Sequence, residues 1–262
     1  MRIVVLTKPV PDPAAGQERL TAKQRVDRAG SPAVVNGNDE YALEAALKLV
    51  EASPDGGEVT LLSMAPASAP ETLRKALAMG ATRGVLVTDP SLEGSDTLST
   101  ARVLAAALRT LEYDLVLAGA DTSDGGGGVV AAGIATILGL PYLSYAAKIE
   151  PGEGQVRVRR LSATGYDVIE APLPALVVAT QVLGEPRYPS LKGIMGARGK
   201  EVATLSLADL DLGGAAVGGE AATTRVTGST KPPERGAARV VRGTAAEAAK
   251  EVVDFLAQRR LI

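Results

Sequence analysis

The sequence predicts an α/β fold of the doubly wound type: a mostly parallel sheet flanked by helices, with an antiparallel edge meander and a long C-terminal arm. Three observations carry this. Short apolar, β-branched runs alternate with helical patterns from Ile3 to Ala179. The early runs lack polar alternation, as strands buried on both faces do. After Leu138 the segments become short and polar-alternating, which marks strands with one wet face.

The elements follow in order. Ile3 to Leu6 is the first buried strand. From Asp39 to Ala52, Leu43, Ala46, Leu47 and Val50 fall on one helical face, opposite Glu40, Glu44 and Lys48. Val59 to Ser63 is a strand, and Ser68-Ala69-Pro70-Glu71 reads as a capping box for a helix that ends at Gly80. Gly84 to Thr88 is a strand, Asp96 to Leu111 a helix and Asp114 to Ala118 a strand. A helix from Gly127 to Leu138 then closes at Gly139. Ala146 to Glu150, Gln155 to Leu161 and Tyr166 to Glu170 form the meander, separated by Gly-containing turns, and Leu176 to Ala179 returns to the core. Residues 184 to 235 are rich in Gly and Pro with little periodicity, so they are expected to wrap around something else. Thr244-Ala245-Ala246-Glu247 opens a final amphipathic helix carrying Ala248, Val252, Phe255 and Leu256 on one side. The expected division is an α/β domain over 1–183 and a loop, arm and terminal helix over 184–262.

Composition narrows the chemistry. The 28 basic and 30 acidic side chains leave a net charge of −2, which excludes a nucleic-acid binder relying on a global basic field. With no Cys there is no thiolate nucleophile, iron–sulfur ligand or disulfide, and with no His the usual neutral-pH base and metal ligand are missing. Any catalysis must therefore rest on carboxylates, Lys, Tyr or a cofactor, and no metal site is expected. The N-terminal apolar run is too short for a signal peptide, and no stretch nears the roughly 18 apolar residues of a membrane span. The chain reads as soluble and cytoplasmic.

Ligands of open parallel sheets bind beyond the carboxyl ends of the strands. Four segments stand there: Thr7-Lys8-Pro9, leading on to Asn36-Gly37-Asn38-Asp39; Ser63-Met64-Ala65; Asp89-Pro90-Ser91; and Gly119-Ala120-Asp121-Thr122-Ser123-Asp124-Gly125-Gly126-Gly127-Gly128. The last is the most informative. Consecutive glycines opening a helix leave bare N–H groups for an anion, although it is neither a Walker nor a dinucleotide pattern. Asp121 and Asp124 would repel a phosphate from their own side chains and suit ribose hydroxyls or amide capping better. Asn36 and Asp39 read as helix caps before they read as ligand contacts.

At Glu185-Pro186-Arg187-Tyr188, followed by Leu191 and Ile194-Met195, the sequence resembles the beta subunit of electron transfer flavoprotein. Val4-Val5-Leu6-Thr7-Lys8, Asn36 through Asp39-Glu40, Arg74-Lys75-Ala76-Leu77-Ala78-Met79-Gly80-Ala81, Asp114 to Gly119 and Leu173 to Leu176 agree in order and spacing. The resemblance implies an adenine-nucleotide-binding fold and a heterodimer whose alpha subunit holds most of a redox-active FAD. It implies a structural AMP beside Leu6, Asn36 to Asp39, Met64 and the stretch from Gly119 through Val129 and Val130. It also implies a recognition loop from about Ala179 to Glu201, anchored by Leu191, that docks acyl-CoA or related dehydrogenases, with a membrane quinone oxidoreductase as acceptor. Electron carriage rather than substrate chemistry follows, with no catalytic residue. Between Pro186 and Lys200 the loop holds Arg187, Lys192, Arg198 and Lys200 and no acid, a basic rim suited to steering an acidic partner. Members that bind a second FAD in place of AMP tend to read Asp-Gly-Asp-Thr where this chain has Asp124-Gly125-Gly126-Gly127, which points to AMP over bifurcation. Other departures are Asp121 where members often carry Gln, Ala163-Thr164-Gly165 and Asp167 in the meander, and Pro13 near an aromatic flavin contact. From a different class, a free-standing adenine-nucleotide sensor or ATP-dependent enzyme of similar fold would bind ATP and need no flavoprotein partner.

Overall fold

A computed structural model describes residues 1–262 apart from 17–19, 231, 234, 235 and 237. The chain enters as β1 (Arg2–Leu6), then β2 (Pro9–Pro11), β3 (Ala33–Val35), α1 (Gly37–Ala52), β4 (Glu58–Met64), α2 (Pro70–Met79), β5 (Arg83–Val87), α3 (Thr97–Arg109), β6 (Leu115–Gly119) and α4 (Val130–Leu138). The meander is β7 (Tyr142–Pro151), β8 (Gln155–Ser162) and β9 (Gly165–Pro172), followed by β10 (Ala175–Ala179), α5 (Leu191–Ala197), β11 (Val202–Leu205) and α6 (Ala245–Gln258).

Among the described residues nine strands form one sheet in the order β11-β5-β4-β1-β6-β10-β7-β8-β9. All neighbours from β11 to β7 run parallel, and β7-β8-β9 is antiparallel. Strands β1, β4, β6 and β10 are buried almost throughout, which is why they read as unbroken apolar runs. One core lies under α1 and α2, built on Ile3, Val5, Leu43, Leu61, Leu77 and Leu117. The other lies under α3 and α4, built on Val4, Leu62, Leu104, Leu108, Val116 and Ile134. Odd and even positions of β1 thus face opposite layers, as the two-residue period requires. Gly133 of α4 sits so near α3 that a Cβ there would lie 2.9 Å from Ala101 Cβ.

Several boundaries depart from the sequence reading. The helix expected from Gly127 starts only at Val130, because Gly126 and Gly128 adopt positive φ (56° and 62°). The Ser68 capping box does not form: Ala69 is the N-cap of α2, with no side-chain bond. The antiparallel pairing of β2 with β3 was not expected, because strands of three residues are too short to show a period. The stretch read as irregular from 184 is partly built into the sheet: β11 pairs in parallel with β5, and α5 packs against α2. Two compact units result, Met1–Thr227 and Gly228–Ile262. In the second, Thr244 and Glu247 form the expected capping box, and α6 buries none of its residues.

Candidate functional site

The chain runs from β1 leftward through β4 and β5, then returns to place β6 on the other side of β1. The order in which strands are added therefore reverses between the parallel neighbours β1 and β6, and the crevice above their carboxyl ends is where an α/β sheet binds ligands. Leu6 is buried at the end of β1, Met64 half-buried at the end of β4, and Gly119 ends β6.

Polar bonds stitch the loops of this crevice together. Asn36 is the N-cap position of α1, but its side chain caps nothing there. It donates instead to the Asp121 carbonyl at 2.8 Å and accepts from the Ser123 amide at 3.2 Å. Asn38 donates to Asp121 Oδ1 at 2.5 Å and to its carbonyl at 3.3 Å. Asp39 is buried and accepts the Lys8 amide at 2.8 Å. The capping expected of Asn36 and Asp39 is thus replaced by clamps between α1 and the loops after β1 and β6. Gly119 is required here, since a Cβ would lie 2.5 Å from Asp39 Oδ1 and 2.6 Å from the Asn38 carbonyl carbon.

The charge balance differs from the one expected of two repelling carboxylates. Asp124, its side chain fully buried, takes Lys8 Nζ at 2.8 Å on one oxygen and Arg28 Nε at 2.7 Å on the other. Burial raises its pKa, but the Lys8 hydrogen bond and the Lys8 and Arg28 charges outweigh it and hold the carboxyl below its ordinary value. Two cations meet one carboxylate, leaving a positive excess beside the glycines. Burial pushes Asp39 up to about 7, against the lowering pull of Asn36 and Lys8, so it carries only part of its negative charge near neutrality. Lys8 was flagged within its loop. Arg28 was missed, because nothing in its local sequence ties it to a residue 96 positions away.

The glycine stretch is open. A Cβ at Gly126 would meet nothing within 4 Å, and one at Gly127 only Thr97 Oγ1 at 3.6 Å. Gly125 to Val129 are exposed, so a ligand can approach bare backbone there, although from a loop rather than the helix opening. Thr7 Oγ1 and Ser63 Oγ, at the ends of β1 and β4, are buried without a hydrogen-bond partner. Beside the exposed glycines stands Lys8 Nζ, 3.6 Å from where a Gly125 Cβ would lie, a cation that a polar, anionic ligand would meet. The residues therefore fit a nucleotide. A hollow of about 410 Å³ adjoins the site, lined by Val10, Pro13, Val35, Asn36, Tyr41 and Ser123. Among the described residues no acidic group cluster fits a metal ion, and no helix is long and apolar enough to cross a membrane.

The residues expected to dock a partner lie on segments packed against α1 and α2. Tyr188 is 96% exposed, Leu191 75% and Met195 68%, with Ile194 beside them. Glu185 is exposed and Pro186 half-buried. Arg187 does not point to a partner: it bonds Glu44 at 2.7 Å and Glu51 at 2.5 Å. Lys200 donates to the carbonyls of Ala81 at 2.6 Å and Leu77 at 3.0 Å. Two of the four cations of the expected steering rim are thus spent inside the chain. Lys192 and Arg198 remain exposed, with no side-chain partner among the described residues.

A model of the electron transfer flavoprotein domain matches residues 24–210. The chain belongs to the electron transfer flavoprotein family. Its similarity runs to the beta subunits: that of Thermoanaerobacterium thermosaccharolyticum is 36% identical over the whole of both chains. The beta subunit of Mycobacterium tuberculosis strain H37Rv is 38% identical over 99% of each. A caffeyl-CoA reductase-Etf complex subunit, CarD, of Acetobacterium woodii is 36% identical over the whole of both. An electron transfer flavoprotein beta subunit is an electron carrier working with a flavin, which suits a chain with neither Cys nor His.

Proposed function

We propose that the chain is the beta subunit of a cytoplasmic heterodimer that carries electrons from acyl-CoA or related dehydrogenases to a membrane quinone oxidoreductase. FAD is held mainly by the alpha subunit and supplies the redox chemistry. The contribution of this chain is binding and orientation. A structural AMP lies in the β1–β6 crevice, within reach of Leu6, Asn36 to Asp39, Met64 and Gly119 to Val130. The observation that carries this is the surplus cation at Asp124 beside an open glycine loop. Lys8 and Arg28 would offset the phosphate charge, and the Gly125 to Gly128 amides would face it.

Docking of dehydrogenases falls to α5, whose exposed Leu191 and Met195 with Tyr188 form an apolar anchor of the kind that fills a partner's pocket, with Lys192 and Arg198 free to steer. The unburied apolar stripe of α6 packs on the alpha subunit. On this reading residues 1–183 bind the nucleotide, and the loop, arm and terminal helix of 184–262 serve the partners.

A second reading rests on the relative from a caffeyl-CoA reductase-Etf complex: a beta subunit that binds a second FAD in the same crevice. Mass spectrometry of small molecules released from the co-expressed heterodimer separates these. One FAD and one AMP support the shuttle. Two FAD and no AMP support the second reading, and ATP without flavin overturns both in favour of a free-standing nucleotide sensor.

A further inference from the structure

The exposed apolar stripe of α5 stands on a seven-residue helix with two glycines, which has little stability of its own. What holds it comes from elsewhere in the chain. At its entry, Arg187 uses its backbone amide and guanidinium on Glu44, at 3.1 Å and 2.7 Å, and spreads the rest of the guanidinium over Glu51 at 2.5 Å and 2.9 Å. Glu44 and Glu51 are two turns apart on α1, so the planar fork bridges one face of that helix. Burial raises the pKa of Glu44, but the Arg187 bonds dominate and hold it below its ordinary value, while Arg187 itself is raised.

At the exit, α2 and α5 cap each other. Arg74 of α2 donates to the carbonyls of Ala197, Arg198 and Lys200 at the end of α5, at 2.8 to 3.3 Å. Lys200, just past α5, returns to the carbonyls of Leu77 and Ala81 at the end of α2. Each cation thus satisfies the orphan carbonyls of the other helix. Between these ends Gly193 lets the α5 backbone rest on the Ala78 carbonyl, where a Cβ would clash. Ser190 caps the first turn through the Gly193 amide at 3.0 Å.

We infer that Arg187, together with the Arg74–Lys200 exchange, is a positioning device that holds Tyr188, Leu191 and Met195 as a preformed platform, and that partner docking depends on it although none of these three cations meets the partner. The inference rests on the docking reading given above. Its logic is pre-organisation: a helix ordered only on contact would charge its ordering entropy against binding. Lysine cannot replace Arg187, because an ammonium cannot span two carboxylates as the fork does.

The test uses the flavin-loaded heterodimer and an acyl-CoA dehydrogenase that reduces the wild type. In Arg187→Lys, amide exchange over residues 188–197 should quicken at least tenfold, and the KM for the heterodimer should rise about tenfold while kcat stays within twofold. Glu51→Gln, which removes only the exposed half of the bridge, should raise KM about threefold and guards against a folding failure. Leu191→Ala should raise KM with exchange unchanged. Unaltered exchange in Arg187→Lys, or faster exchange with a normal KM while Leu191→Ala is impaired, overturns the positioning role alone. A normal KM in both Arg187→Lys and Leu191→Ala overturns docking through α5 itself.

Discussion

Gly119→Ala should damage both the fold and the β1–β6 crevice, and the structure sets the size of the effect. The new methyl would lie 2.5 Å from Asp39 Oδ1, 2.6 Å from the Asn38 carbonyl carbon and 2.8 Å from its oxygen. Ordinary contact begins near 3.4 Å, so the first turn of α1 or the end of β6 must move by most of an ångström. Neither yields easily. Asn38 belongs to the helix backbone, and Asp39 is pinned by the Lys8 amide at 2.8 Å. Overpacking of a tight site costs about 1–3 kcal/mol. Weakening a hydrogen bond to a charged group adds about 1–2 kcal/mol. The total of about 3 kcal/mol corresponds to a Tm lower by roughly 6–12 °C for a chain of this size. The matched control is Gly126→Ala, where φ is 56° but no atom lies within 4 Å. There only the left-handed backbone is penalised, by about 1–2 kcal/mol, for a drop of roughly 2–8 °C. Thermal unfolding by circular dichroism, with the bound nucleotide quantified in the same preparations, checks both. Equal Tm values for Gly119→Ala and wild type, with full nucleotide content, would refute the clamp.

Three further outcomes are expected. Asp39 has a folded-state pKa raised from 3.8 to about 7, so it costs nothing below the lower value, its destabilisation grows as pH rises between the two, and it levels off above the higher one; the shift corresponds to about 4 kcal/mol as an upper figure. Asp39→Asn should therefore flatten the decline in stability between pH 4 and 8 in urea titrations, and an unchanged slope would count against burial as its cause. Asp124 is shifted the other way: its stabilisation is present above the unfolded pKa and lost as pH falls through the lower folded one. Asp124→Asn should cost about 2 kcal/mol at pH 7, discounted because Lys8 and Arg28 are partly exposed, and the gap to wild type should narrow as pH falls through and below the ordinary aspartate range. Thr244→Ala removes the hydroxyl half of the α6 capping box, leaving the Thr244 amide on Glu247, and should cost about 1 kcal/mol of local helix stability, read as faster amide exchange over 245–249.

The parallel sheet was legible because β1, β4, β5, β6 and β10 are buried on both faces, and a strand in that setting has to be apolar at every position. The meander was legible for the opposite reason, since Val156 and Val158 face the core between exposed arginines. What stayed hidden depends on distant partners. β11 is only four residues long and exists through its pairing with β5, and α5 through Arg74 and Lys200. The crevice segments were found from strand ends, and Asn36, Asp39 and Asp121 do meet there. Their bonds were misjudged, because a cap and a long-range clamp use the same residue types. The loop of residues 186–200 looked wholly basic because Glu44 and Glu51, which neutralise Arg187, come from α1.

The two rims of the sheet face solvent under different protections. At one rim β9 shows its open side to water, but Glu170 and Asp167 alternate along it, paired with Arg157 and Arg160 of β8, and its companions Tyr166 and Val168 are interrupted by charge. A stray strand finds such a rim hard to join. At the other rim Val85, Leu86 and Val87 of β5 have no charged residue among them, and only the short β11 covers their N–H and C=O groups. A chain ending or nicked before Val202 would therefore bare a sticky, uncharged seam. Aggregation of such fragments, rather than their simple unfolding, is the expected fate, and the four residues Val202–Leu205 are what cover that seam in the intact chain.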